Sequence, residues 1–570
     1  MEIHLWQCVL VGLWTAFCIT GMLTGTYLTR CLVMAAGVGV ILGDVETGLA
    51  MGAVGELAFL GFGVSSGGSV PPNPVGPGIV GAVLAITAKG QGIDAEAALA
   101  YSFPFAILVQ FLITCIYTIA AGFPEKAARA VDNGRWGKYC LLANGTILMF
   151  AGTGFVIGFA AAFHAQGLGQ LIGAIPEWLT GGLTTAGKML PAVGFAVILS
   201  VMCGWDTGAF VILGYSAAAY LDVPVLGIAL ISGAFAWMLG ERGAGRGTLG
   251  DAGAAGGSES VFGGSGGSGG SDGSGGSGDS DGFGGTGGSG GSGGSVGAGS
   301  SVPGVRPLSE KALRRLSRRC ALRAYFLQNG YNYGNYEGLS YSWVVFPAIK
   351  KLFPGEKDMR RELKDSMSYC SVNPNFLPIL TSLHLISLNR GLSSRDTRDI
   401  RTAMMGPLAG VGDSLIQFCV APVFSTLGAG MAAQGSMAGP IVFLLGINAI
   451  LLTLKLSNEA LGFRLGASLA GQMEERLGTL SLGARRVGCA VIAGLAVNSV
   501  DMKTSLAVSG QEGALFSLQD FLDTLLPGAL PVLCTVILYY LFKKKKWGMY
   551  RLVGLTMAAG AMLHWLGILA

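Results

Sequence analysis

The stretch LWQCVLVGLWTAFCITGMLTGTYLT, residues 5–29, contains 25 residues and no charged side chain. A helix of about 20 apolar residues is long enough to cross the hydrocarbon core of a bilayer. This stretch therefore predicts a membrane-spanning helix with room for some tilt. Further apolar stretches follow in the first half at residues 31–43, 47–88, 97–124, 139–176 and 189–240.

The composition of the 570 residues agrees with a membrane protein. Only 12% of the residues are charged, against about 25% in soluble chains, and the mean hydropathy is +0.57. The net charge of +4 gives no sign of a nucleic-acid surface. Because lipid requires every backbone polar group to bond internally, we predict an all-α polytopic membrane protein. The eleven cysteines are scattered without a Cys-x-x-Cys pair and are expected to act as small buried apolar residues.

A Gly/Ser-rich tract divides the chain into two membrane halves. Between Arg246 and Arg306 lie 59 residues dominated by glycine and serine, as in GGSGGSGGSDGSGGSGDSDGFGG. Such a composition cannot bury enough apolar surface to offset its ordering entropy, which predicts a disordered tether with a root-mean-square reach of roughly 40–45 Å. The predicted organisation is a first membrane domain (1–240), a flexible linker (241–305) and a second membrane domain (306–570).

The second half begins with the basic amphipathic segment SEKALRRLSRRCALR (309–323), which predicts a helix at the membrane surface. Apolar stretches follow at residues 371–388, 402–412, 414–454, 487–500, 524–542 and 552–570. Lysine and arginine cluster at residues 126–138, 242–246, 311–323 and 543–546. The positive-inside rule places all four clusters, and the tether, in the cytoplasm.

Glu56 is the most informative single residue of the first half. It is the one charge in the 42-residue stretch 47–88, where an acid is costly unless it faces a cavity or a partner. Asn73 follows within SVPPNPVGP, whose prolines prevent a continuous helix and predict exposed backbone beside a cavity. Glu56 and Asn73 are therefore candidates for one wall of a polar pocket, with a structural anchor at a broken helix end as the alternative for Glu56.

The second half repeats this combination of a broken helix and a buried acid. Asp413 lies in MGPLAGVGDS (405–414), and Asn373 and Asn375 flank Pro374 in SVNPNF (371–376). Two halves of this kind predict broken or re-entrant helices that meet, in a pseudo-symmetric arrangement, at a midplane site, as in many transporters. The alternative is that the glycines and prolines serve only helix packing.

Nothing in the chain indicates phosphate hydrolysis, because no GxxxxGK[ST] loop is present. A carbohydrate site needs hydrogen-bonding groups and an aromatic face. These could be supplied by residues of one segment: Asn332, Tyr333, Tyr336, Tyr341 and Trp343. Aromatic residues at this position could equally mark the headgroup belt of the bilayer.

Together these motifs resemble the mannose-type (mannose/fructose/sorbose) sugar phosphotransferase system. The first half resembles enzyme IIC in its opening through Gln7, in VGVILGDVETGLAMGAVGELAFLGFG (38–63) and in AARAVDNGRWG (127–137). The second half resembles enzyme IID in NYGNYEGLSYSWVVFPAIKKLFP (332–354), NPNFLPIL (373–380), MGPLAGVGDSLIQFCVAPVFSTLGAGMAAQGSMAGP (405–440) and LLPGALPVL (525–533). The resemblance covers the whole chain apart from the tether.

The resemblance implies that the chain moves an external hexose or N-acetylhexosamine inward across the bacterial inner membrane. A cytoplasmic phosphorylated enzyme IIB, charged through IIA, the phosphocarrier protein and enzyme I, would then phosphorylate the sugar. The four scattered histidines agree with a translocator that carries no phosphohistidine, so no catalytic residue, cofactor or metal is expected. A homotrimer is the expected assembly by analogy with the family. The sugar is expected to be contacted or framed by six residues: Gln7, Glu56, Asn73, Asn332, Asn373 and Asp413.

Several positions depart from the family pattern. Gly334 and Glu337 stand where the family has Glu and Gln, Cys31 stands where it has Pro, and Asn73 stands where some members have Asp. These differences bear on which sugar the chain carries more than on whether it resembles the family. Two other functions remain open from the residues alone: a secondary transporter coupled to an ion through Glu56 or Asp413, and a membrane enzyme acting on lipid-linked sugars.

Overall fold

The fold was analysed in a computed structural model that describes residues 3–60, 72–91, 93–165, 167, 177–204, 206–244, 305–392, 394–466, 473–510 and 513–569. Most of the predicted linker (241–305) lies outside these residues. At its start, however, the last helix of the first half continues to Ala244, beyond the predicted boundary at residue 240.

The described first half consists of α-helices joined by short connections. They are α1 (Leu5–Thr24), α2 (Cys31–Leu42), α3 (Val45–Ala58), α4 (Ala82–Thr87), α5 (Ala95–Ala120), α6 (Phe123–Asp132), α7 (Trp136–Ala143), α8 (Gly145–Phe163), α9 (Glu177–Met202), α10 (Gly208–Ala219) and α11 (Val225–Ala244). The uncharged stretch 5–29 does not form one helix throughout. Helix α1 ends at Thr24 because Gly25 adopts the left-handed conformation (φ 61°) that terminates helices.

The described second half is also mainly helical. Its helices are α12 (Glu310–Arg323), α13 (Gly338–Leu352), α14 (Glu356–Asp365), α15 (Leu377–Asn389), α16 (Ser394–Leu415), α17 (Ala421–Ala433), α18 (Ala438–Leu465), α19 (Met473–Asn498), α20 (Leu518–Leu525), α21 (Ala529–Lys543) and α22 (Met549–Trp565). The predicted amphipathic helix at 309–323 corresponds to α12, with Ser309 at its N-cap.

A short hairpin departs from the all-helical prediction. Strands β1 (Ala507–Gly510) and β2 (Gly513–Ser517) pair antiparallel between α19 and α20, with Ala507 opposite Ser517. Gly510 pairs with Gly513 at the end of the hairpin. The hairpin does not change the fold class, which is helical as predicted.

Five helical segments in the described part of the chain are long and apolar enough to cross a membrane. They are Leu5–Thr24, Ala95–Asp132, Gly145–Phe163, Gly181–Ser200 and Ala438–Leu465. A sixth crossing would be the pair α20 and α21, which is bent by 77° at its break. The prediction of a polytopic membrane protein is confirmed.

Predicted helix breaks are present around Asn73 and at residues 371–376 before α15, whereas the Gly/Pro-rich segment 405–414 lies within the continuous helix α16. Helix α3 ends at Ala58, and the next helical element in the described residues is the π-helical turn Gly76–Gly81 before α4, with Asn73 just before that turn. In the second half, α16 passes through a second π-helical turn, Ile416–Val420, into α17. π-Helical turns of this kind are frequent at functional sites.

Three hydrophobic clusters hold the described helices together, and each contains residues of both halves. The largest joins α1, α5 and α9 to Cys489–Val491 of α19 and to Leu552 of α22. A second joins α6 and α7 of the first half to α12, α13 and α14. A third joins α2 and α3 to α17 and α18. The two halves therefore pack into each other instead of forming separate cores.

Candidate functional site

Asn373 and Asp413, two of the predicted site residues, lie in direct contact. Asn373 Nδ2 donates a hydrogen bond to Asp413 Oδ1 at 2.9 Å. The Asn373 side chain is held in turn by its own loop, because its Oδ1 accepts the backbone N–H of Asn375 at 3.0 Å. This bond orients the amide so that its nitrogen faces the carboxylate.

Gly412 makes this contact possible. A Cβ atom at position 412 would lie 2.3 Å from Cβ of Asn373, a distance that real atoms do not adopt. The glycine of the GVGD motif therefore lets α16 approach the Asn-Pro-Asn loop closely enough for Asp413 to reach Asn373. The prediction of a buried acid at Asp413 is wrong: this residue is exposed, because it lies on the face of α16 that the Asn-Pro-Asn loop leaves partly open. Its Oδ2 has no hydrogen-bond partner among the described residues. One carboxylate oxygen is thus fixed and the other is available.

Glu56 is completely buried and forms part of a connection between the two halves. Arg30 donates to Glu56 Oε1 from Nε at 2.8 Å and from Nη2 at 2.6 Å. Ser425 of α17 donates to the same oxygen at 2.5 Å, and Arg30 Nη2 lies 3.2 Å from Ser425 Oγ. The second oxygen, Oε2, accepts the backbone N–H of Leu32 at 3.4 Å. This carboxylate anchors a buried ion pair, and Ser425 links that pair to the second half.

The turn between α1 and α2 reaches across to the second half beside this ion pair. Asn448 of α18 donates to the backbone oxygen of Thr26 at 2.9 Å, and the rings of Tyr27 and Phe443 meet edge to face at 6.4 Å. Tyr27 adopts φ 60°, a conformation that is unfavourable for a bulky residue and is concentrated at functional sites.

Electrostatic interactions connect the turn to Asp413. Burial raises the pKa of the Tyr27 phenol; Arg30 opposes this rise and the Asp413 carboxylate adds to it. Tyr27 of the first half therefore lies within electrostatic range of Arg30 and of Asp413, which comes from the second half. We refer to the region where the two halves meet around these residues as the junction. It contains the buried Arg30–Glu56 ion pair, the exposed carboxylate of Asp413 and the aromatic ring of Tyr27, which are the kinds of groups that recognise a polar solute.

Glu337 is a further buried acid near this junction. Its Oε2 accepts the backbone N–H of Val372 at 2.9 Å, and its Oε1 accepts a bond from Gln328 Nε2 at 3.2 Å. Glu337 lies just before α13, which is not one of the membrane-crossing helices. Burial raises its pKa to about 8; both hydrogen bonds oppose the rise and Asp413 adds to it.

The other three predicted site residues bond within their own halves. Gln7 accepts the backbone N–H of His4 and donates to the backbone oxygen of Ile41 at 3.2 Å. Asn73 Oδ1 accepts the backbone N–H of Val75 at 3.0 Å. Asn332 is fully buried and organises its own loop. It accepts the backbone N–H groups of Gly334 and Asn335 and donates to the backbone oxygen of Gly330. Asn73 and Asn332 thus shape the backbone of their own loops, whereas Gln7 lies in the first turn of α1, at the opposite end of this helix from Tyr27.

Arg30, Tyr27 and Ser425 were not predicted as site residues. A signal for Arg30 was present, because it is the first lysine or arginine in the chain and none follows before Lys89. A lone cation near a lone acid in apolar sequence suggests an ion pair. Tyr27 and Ser425 carry no comparable signal.

Two family models match the chain in succession. Residues 5–238 match the sorbose-specific IIC component of the phosphotransferase system, and residues 311–569 match the IID component of the mannose/fructose/sorbose family. The N-acetylgalactosamine permease IIC component 1 of Escherichia coli K12 is 35% identical over 216 residues, which cover 38% of this chain and 79% of the relative. The chain belongs to the mannose/fructose/sorbose phosphotransferase family.

Other members of the mannose/fructose/sorbose family are similar to parts of the chain. The sorbose-specific EIID component of Klebsiella pneumoniae is 30% identical over 255 residues, which cover 42% of this chain and 93% of the relative. A solved structure of the mannose transporter ManYZ with microcin E492 has 25% sequence identity and a TM-score of 0.27, covering 46% of this chain and 98% of the solved chain. The predicted family is confirmed, with IIC and IID components in one polypeptide.

Proposed function

We propose that this chain is the sugar-translocating membrane part of a phosphoenolpyruvate-dependent phosphotransferase system. It would import a hexose or an amino sugar, which a phosphorylated enzyme IIB would phosphorylate. The observation that carries the proposal is the junction where Asp413 and Asn373 of the IID half approach Tyr27 and the Arg30–Glu56 pair of the IIC half. A site built from both components would require both of them for transport.

The chemistry of the junction suits a sugar. The Oδ2 atom of Asp413 would accept hydrogen bonds from sugar hydroxyl groups, since a carboxylate accepts strong, charge-assisted bonds. The Tyr27 ring would provide an apolar surface and its phenol a polar group. Glu56 would contribute by holding Arg30 and the turn in place. Asn73 and Asn332 would frame the site through the backbone they organise, and Gln7 would support it indirectly by holding the start of α1 to the end of α2.

The remaining parts of the proposal concern organisation and partners. The IIC domain would span residues 1–240, the cytoplasmic tether residues 241–305 and the IID domain residues 306–570. The chain would reside in the bacterial inner membrane as a homotrimer and would receive phosphoryl groups from IIB, with IIA, the phosphocarrier protein and enzyme I upstream. One polypeptide would keep the two components at equal stoichiometry and at a high effective concentration.

The sugar class is suggested by the relatives of each half. The IIC half is similar to an N-acetylgalactosamine permease component and the IID half to a sorbose-specific component. We therefore include both N-acetylhexosamines and hexoses among the candidate substrates.

The proposal is tested by uptake into membrane vesicles containing the full chain. Labelled mannose, fructose, sorbose and N-acetylgalactosamine are supplied with and without phosphoenolpyruvate and the soluble phosphotransfer proteins. We expect sugar phosphate inside the vesicles only when the complete relay is present. Accumulation of free sugar under an ion gradient would instead indicate a secondary transporter, and would contradict the proposal.

A further inference from the structure

Lys455 is a fully buried cation in the middle of membrane helix α18. Its side chain is 1% exposed, and its Nζ atom lies 3.9 Å from the centre of the Tyr325 ring. Among the described residues no carboxylate lies within 4.0 Å of Nζ. The nearest acid along the helix, Glu459, lies 3.7 Å from Arg318 instead. A buried ammonium without a direct counter-charge is costly, so the location of its compensating charge is important.

A continuous line of hydrogen bonds leads from Lys455 to Asp413. Lys455 Nζ donates to Asn375 Oδ1. Asn375 Nδ2 donates to Asn373 Oδ1 at 3.1 Å, and Asn373 Nδ2 donates to Asp413 Oδ1 at 2.9 Å. The ammonium and the carboxylate are thus separated by two side-chain amides, and we refer to these four residues as the amide relay.

The direction of the relay follows from its two ends. An ammonium can only donate hydrogen bonds and an ionised carboxylate can only accept them. Both amides must therefore point their oxygens towards Lys455 and their nitrogens towards Asp413. Their dipoles then align head to tail between a positive and a negative charge, and aligned hydrogen bonds strengthen one another in a low-dielectric interior.

A neighbouring side chain of α18 helps to fix the position of the relay. Asn458, one turn beyond Lys455 on α18, donates to the backbone oxygen of Asn375 at 2.8 Å. Asn373 and Asn375 are both more than nine-tenths buried, whereas Asp413 at the end of the relay is exposed. The buried ammonium of Lys455 is therefore connected to the carboxylate of Asp413, which a solute can reach.

We infer that Lys455 is a positioning residue for solute binding, serving as the counter-charge of Asp413 through the amides of Asn375 and Asn373. It keeps Oδ1 of Asp413 engaged in the relay, so that Oδ2 is presented to the solute. The link between Lys455 and Asp413 is independent of what is transported. Its consequence for sugar binding rests on the proposed function.

A double-mutant cycle in thermal unfolding tests the link without transport. The full chain in detergent is compared as wild type, Lys455→Gln, Asp413→Asn and the double variant. We expect Asp413→Asn to lower the unfolding temperature by about 2–4 °C when Lys455 is present and by less than about 1 °C when it is Gln, because coupled residues are not additive. An equal shift in both backgrounds would overturn the inference.

Sugar uptake tests the consequence for binding. In vesicles with the phosphotransfer relay, we expect Lys455→Gln to raise KM on the order of ten-fold while the maximal rate changes less than about two-fold. Lys455→Arg, which retains a donor-only cation, should restore most of the affinity. Thr453→Val is the matched control, since Thr453 is exposed on α18 and bonds only to the Ala449 backbone oxygen among the described residues.

The outcomes separate this inference from the proposed function. A loss of folded protein in Lys455→Gln with unchanged KM in the remaining fraction would indicate a merely structural lysine and would overturn the inference. If the wild-type chain forms no sugar phosphate, the proposed function fails, whereas the unfolding cycle still decides whether Lys455 and Asp413 are coupled.

Discussion

Glu56 is the residue whose replacement should have the clearest effect on transport. We expect Glu56→Gln to lower sugar uptake at least ten-fold while the chain remains folded, because the Arg30 guanidinium loses its counter-charge beside the junction. Uptake and the amount of monodisperse chain are measured together. Glu46→Gln makes the same chemical change at an exposed position of the same helix and should behave as wild type. Normal uptake in Glu56→Gln would remove Glu56 from the site.

Glu337 should make the stability of the chain depend on pH. Burial, opposed by the bonds from Val372 and Gln328, raises its pKa to about 8 from 4.5. A carboxyl group with a raised pKa in the folded state favours folding below its unfolded value. That contribution is lost as the pH rises from 4.5 to about 8.

We therefore expect the unfolding temperature in detergent to fall between about pH 5 and about pH 8, and Glu337→Gln to remove most of that slope. Glu356→Gln, at an exposed acid, is the control. An unchanged slope in Glu337→Gln would show that another group is responsible.

Helices α6 and α7 connect the two halves at the scale of elements. The Trp136 ring stacks on Phe346 of α13 at 5.5 Å, and Tyr139 hydrogen-bonds Ser342 at 2.9 Å. Lys364 of α14 pairs with Asp132 at 2.7 Å. These contacts fix the AARAVDNGRWG segment, which the sequence places between two apolar stretches, against the IID half.

Loss of the aromatic stack should weaken this contact. We expect Trp136→Ala to lower the unfolding temperature of the full chain by about 2–4 °C, because it removes a half-buried aromatic pair. Leu141→Ala is the matched control, since Leu141 lies on the same helix and is 58% exposed. Equal shifts in the two variants would show that the stack contributes nothing specific.

The breaks between elements were more predictable than their contacts. Proline around Asn73 and in residues 371–376 correctly indicated breaks between helices, since proline lacks an amide hydrogen. Glycine and proline near Asp413 did not interrupt the helix, because residues 405–414 lie within α16. The end of α1 at Thr24 was not predicted, because no charged or proline residue marks it and only the left-handed Gly25 does. The hairpin at residues 507–517 was likewise missed, since strands of four and five residues give little periodicity.

At the scale of the whole molecule, the two halves should function without their tether. All three hydrophobic clusters combine residues of both halves, so the described part of the chain supplies contacts through which separate halves could associate. We expect residues 1–240 and 306–570, expressed together as separate chains, to retain sugar uptake. Expression of either half alone is the control and should give none. Loss of uptake in the co-expressed halves would contradict this view of the tether.

The sequence by itself determined the membrane class, the division into two halves, the helix breaks and the family. Each of these is encoded locally, in hydropathy over about 20 residues, in glycine and proline, and in continuous motifs. The sequence also identified Asn373, Asp413 and Glu56 as polar residues in unusual surroundings.

Only the tertiary structure decided which groups meet. Glu56 and Ser425 are 369 residues apart, and Lys455 and Asn375 are 80 residues apart. Their contacts depend on how helices from the two halves rotate and pack against one another. The periodicity of a single helix shows which residues share a face, but it does not show which partner that face will contact.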